Sequence, residues 1–65
     1  MNVADLAYSV YRAIDGAIDD GNFAPADEVE ELDEPTIDNG YVTRLVTTSG
    51  QKFRILVQAA PGHEE

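Results

Sequence analysis

The chain has no cysteine, only one histidine, and four lysine or arginine residues against thirteen aspartates and glutamates. Without cysteine there is no disulfide and no thiolate metal site, so the common staples of very small domains are missing. A chain of 65 residues forms one domain at most and buries only about 60% of its unfolded surface. Its 43% apolar content suits a globular protein, but eight of those residues are alanine, which makes for a thin core. Either packing is efficient or a second copy or a partner completes it. No apolar run approaches the ~20 residues of a membrane span, and no charged-then-apolar leader suggests export, so a cytoplasmic protein is expected.

Catalytic chemistry finds little to work with. The single histidine, His63, falls in the last residues of the chain, and Ser9 and Ser49 occupy ordinary helix and turn positions. A nucleophile with an orienting base is therefore missing, and the chain is read as a non-enzyme. The glycines are scattered rather than gathered into a phosphate loop, and no cofactor is expected. Asp15, Asp19, Asp20 and Asn22 could offer oxygen ligands to a cation. Counted from Asp15, however, the EF-hand pattern fails at its third and sixth positions, Ala17 and Asp20, so no metal site is assigned.

Met1 to Ile18 reads as an amphipathic helix, with Val3, Leu6, Val10, Ile14 and Ala17/Ile18 on its apolar face and Ala7 and Ala13 alongside. Tyr8 and Tyr11 flank that stripe and are expected at the edge of the core. Asn2 is the expected N-cap and Gly21 the left-handed stop. Asp19 and Asp20 oppose the helix dipole at the far end.

Tyr41 to Ala59 holds two runs rich in β-branched and aromatic residues around Ser49-Gly50, which predicts a β-hairpin. A two-residue loop would pair Val46 with Phe53 and set Val42, Val46, Phe53, Ile55 and Val57 on the core face. A three-residue loop with Gly50 as a bulge would instead gather Tyr41, Leu45, Phe53, Ile55 and Val57, and place Arg44 opposite Arg54. Like charges facing each other are unfavourable, so the two-residue register is expected. Asn39-Gly40 predicts a second turn, making Glu34 to Ile37 a first strand whose Pro35 confines it to an edge. The expected fold is α+β: one domain over residues 1–60, an N-terminal helix across a small antiparallel meander in the order α-β-β-β, with residues 61–65 as a disordered tail.

Between helix and sheet lies the strongest functional candidate, the acidic residues Asp27, Glu28, Glu30, Glu31, Asp33 and Glu34, uninterrupted by any cation. Pro25 could open a short helix here, ended by Pro35, with Val29 and Leu32 inward and Asp27, Glu30, Glu31 and Glu34 along one side. With a net charge of −9, the chain should repel nucleic acid and anionic membranes and be steered toward basic surfaces. The expectation is a small inhibitor or adaptor, docking through those six carboxylates on a basic, nucleic-acid-handling protein in the manner of a nucleic-acid mimic. Two alternatives compete. One is a halophile's accessory domain whose acidity serves solubility. The other is a homo-oligomeric module pairing through a sheet face of Thr43, Leu45, Arg54 and Leu56, a homodimer being its simplest form. Arg44, Lys52 and Arg54 are expected to serve as internal counter-ions rather than to hold nucleic acid.

Overall fold

The computed structural model describes residues 2–60; the tail expected over 61–65 lies outside the described residues. Helix α1 spans Val3–Asp20. Asn2 caps it as expected, its side chain accepting the Asp5 N–H at 2.8 Å. Gly21, at φ 74°, closes it: its N–H donates to the Ile18 carbonyl and that of Asn22 to the Ala17 carbonyl, so two of the last turn's carbonyls are satisfied. The buried stripe is rotated from the expected one. Ala7 is its most buried member, Val3, Ala4, Val10, Tyr11, Ile14, Ala17 and Ile18 are half-buried, and Leu6 is 42% exposed. A small side chain at the line of closest approach lets the helix lie near the sheet.

A single 3-10 turn, Ala26–Glu28, leads into four strands: β1 Val29–Leu32, β2 Thr36–Asp38, β3 Gly40–Thr47 and β4 Lys52–Val57. All pairings are antiparallel and all involve β3. β4 lies along one edge of β3, while β1 and β2 share the other, interrupted at Asp33–Pro35. Helix on antiparallel sheet is the expected α+β arrangement, with one strand more than the meander foresaw.

The hairpin register differs from the expected one. Leu45 faces Phe53 and Arg44 faces Arg54. Thr47 N–H donates to the Gln51 carbonyl, Gly50 N–H donates to the Thr47 carbonyl, and Gly50 sits at φ 86°. This is the three-residue loop with a glycine bulge. Thr47 explains the choice: its hydroxyl accepts the Gln51 N–H at 3.2 Å and lies 2.8 Å from the Ser49 hydroxyl, which ties the longer loop together. The consequence is that Thr43, Leu45 and Thr47 are buried with Phe53, Ile55 and Val57 on their side, toward the helix. Val46, Arg44, Arg54 and Leu56 belong to the open face, so Thr43 and Leu45 cannot join Arg54 and Leu56 in one interface. Val42 also points to the open face yet is only 4% exposed, at the base of a cavity walled by Thr36, Asp38, Arg44 and Arg54.

The second turn is also tighter than a two-residue Asn-Gly loop. Asp38 already pairs with Gly40, so the chain reverses at Asn39, with Gly40 at φ 137°. A Cβ on Gly40 would lie 2.9 Å from both Gln58 Cβ and the Val57 carbonyl oxygen. The core is thin, as the alanine content implied. Ala7, Val42 and Leu45 are its buried apolar members, while Phe53 is 45% and Leu56 50% exposed.

Candidate functional site: an acidic sheet edge

The acidic residues do not form the expected helix. Asp27 and Glu28 belong to the 3-10 turn, and from Val29 the chain is extended. Three physical reasons favour this. Acids at helical spacing would repel one another from Asp27 through Glu34. The edge of β3 offers backbone partners that one isolated helical turn lacks. And Val29 and Leu32, three residues apart, reach the same side of a strand because the register shifts between Val29 and Glu31. That bulge is why apolar residues in a strand showed helical spacing.

Each of the six carboxylates now has a definite place. The Glu28 carbonyl accepts the Thr48 N–H at 2.7 Å, anchoring the turn to the end of β3, and its side chain is exposed. Glu30 sits in the bulge and Glu31 opposite Val46, on the open face. Asp33 extends the ladder by one bond, its N–H donating to the Arg44 carbonyl at 2.9 Å. Its carboxylate takes two bonds from the Arg44 guanidinium, at 2.9 and 3.1 Å. Glu34 is exposed, and the following Pro35 is buried where a missing N–H is tolerated.

The arginines are used up nearby. Among the described residues two ion pairs form, Arg44–Asp33 and Arg54–Asp38, both at 2.9 Å and both well exposed. The first involves the acidic run; the second involves Asp38, just beyond it. Asp27, Glu28, Glu30, Glu31 and Glu34 take part in neither and are all exposed. The result is an extended ridge of uncompensated negative charge on the outer edge of the sheet.

Elsewhere the surface offers less. Asp15, Asp19 and Asp20 lie exposed along the last turns of α1, and among the described residues no three acidic or histidine side chains are grouped to hold a metal ion. Ser49 is engaged with Thr47 in the hairpin loop. Among the described residues no helix is long and apolar enough to cross a membrane. No protein-family model, no curated protein and no solved structure matches this chain.

Proposed function

We propose that this is a non-catalytic binding protein of the cytoplasm that docks its acidic edge on a basic, nucleic-acid-handling protein. The observation that carries this reading is the exposed row Glu30, Glu31 and Glu34, free of ion pairs among the described residues although both nearby arginines are engaged. An extended chain advances ~3.3 Å per residue, close to the ~3.4 Å between charges along one DNA strand. With Leu32 turned inward and Asp33 paired to Arg44, the three free carboxylates span about 13 Å, a sparser row than a DNA strand but one a phosphate-binding groove could still meet. The remaining field, with an overall charge of −9, would steer such an encounter and fade with salt.

The experiment is retention from nuclease-treated lysate of the native source, followed by competition. A partner that binds through its nucleic-acid surface is released by added DNA or RNA. A partner held equally well under excess nucleic acid contradicts the mimic.

A second reading is favoured by the bulge and by Pro35. Bulges, prolines and charged side chains are the devices by which free sheet edges avoid pairing with other chains. On that reading the Glu30/Glu31/Glu34→Gln variant aggregates, with no loss of a specific partner.

A further inference from the structure

The two free edges of the sheet are built in opposite ways. The β1/β2 edge is short, bulged, broken at Pro35 and acidic. β4 is six residues long, keeps an unbroken register with β3, and contains no proline, glycine or carboxylate. Among the described residues its outer edge is unpaired. The Arg44 carbonyl bonds Asp33, so Arg44 directs its backbone groups away from β4. By the alternation of an antiparallel ladder, its partner Arg54, together with Lys52 and Leu56, directs N–H and C=O outward from β4. These are the unpaired groups that a further strand would take.

We infer that β4 is a dimer seam: a second copy of this chain pairs with it antiparallel, about a two-fold axis through Ile55. Register and charge select this occupant. With Ile55 opposite Ile55 of the second copy, Arg54 faces Leu56 and Phe53 faces Val57, so no like charges oppose. Of the two neighbouring symmetric registers, one sets Arg54 against Arg54, which is unfavourable, and the other, Leu56 against Leu56, pairs only residues 55–57 within the strands. A shift by one residue sets the apolar side against the charged one. Pairing β4 with β1 of another copy meets the bulge and leaves an open, non-closing chain of subunits. Charge distribution agrees. Lys52 and Arg54 make this the least acidic edge, and in the dimer the two acidic ridges lie on the far outer sides.

The apolar surface also matches. Phe53 and Ile55 line an open cavity of about 360 Å³ with Phe23, Pro25 and Leu45. Val57 lines another of about 190 Å³ with Val3 and Leu6. The two-fold axis keeps both helices on one face and sets the Phe53 end of each copy beside the Leu6–Val57 end of the other. Leu6, 42% exposed, and Phe53, 45% exposed, are thereby brought together. The inference does not depend on the acidic edge having a partner.

The test exploits the absence of cysteine. In a non-hydrogen-bonded pair opposed Cα atoms lie ~4.5 Å apart, within the span of a disulfide. Ile55→Cys therefore forms a disulfide-linked dimer under mild oxidation. Phe53→Cys, with its thiols about 13 Å apart along the strands, does not. The unmodified chain sediments as a dimer. Leu56→Pro removes an outward N–H while sparing the ladder to β3, and is expected to sediment as a monomer with unchanged circular dichroism. Should that variant unfold, the two cysteine variants still decide. Equal cross-linking of both, or an unmodified chain that stays monomeric at its solubility limit, overturns the proposal.

Discussion

Arg44 and Arg54 stand directly opposite each other on the open face of the sheet, and each binds its own aspartate, Asp33 or Asp38, at 2.9 Å. Two like charges at a non-hydrogen-bonded position are tolerable because each guanidinium has its own carboxylate partner, both supplied from the β1/β2 side. In the Asp33→Asn/Asp38→Asn double variant, urea unfolding at low salt should show a loss of about 1 kcal/mol. Most of that loss should vanish in molar salt. Adding Arg54→Thr to that background relieves the exposed repulsion and restores part of it. No restoration would mean the arginines do not sense each other.

Two glycines make opposite demands. Gly40 combines φ 137° with neighbours at 2.9 Å, including the Val57 carbonyl, so Gly40→Ala is expected to cost about 1–3 kcal/mol. Gly16 lies inside α1 with nothing within 4 Å of its would-be Cβ. Gly16→Ala should therefore stabilise by about 0.5–1 kcal/mol. Denaturant midpoints of the two variants should move in opposite directions.

Two buried threonines make a similar contrast. The Thr47 hydroxyl accepts the Gln51 N–H and lies within hydrogen-bond distance of Ser49, so Thr47→Val should cost about 1–2 kcal/mol and loosen the loop. The Thr43 hydroxyl, in a residue only 3% exposed, makes no hydrogen bond among the described residues. Thr43→Val should leave stability unchanged or raise it by up to about 1 kcal/mol. Amide exchange at Gln51 reports the first change specifically.

Much of the fold was legible in local signals. Asn2, Gly21, helix α1 and the hairpin around Ser49-Gly50 all rest on interactions within a few residues, whereas the face α1 buries was set by the sheet. What was not legible depended on side chains acting across the chain. The expected register rested on repulsion between Arg44 and Arg54, and it was overturned because each arginine has its own carboxylate: Asp38 at the end of the expected first strand, and Asp33 following β1, which the sequence concealed. β1 was concealed in turn by its bulge, which gave Val29 and Leu32 a helical spacing. The acidic candidates were visible as residues, but their extended arrangement followed only from β3 needing an edge partner.

The most direct test of the proposed function compares the unmodified chain with the Glu30/Glu31/Glu34→Gln variant against the basic protein it retains. Rim charges act mainly on association and contribute about 0.5 kcal/mol each, so affinity should fall about tenfold at low salt. The salt dependence should flatten, while the unfolding curve shows a folded protein. Equal affinity of the two forms at every salt concentration would contradict docking through this edge.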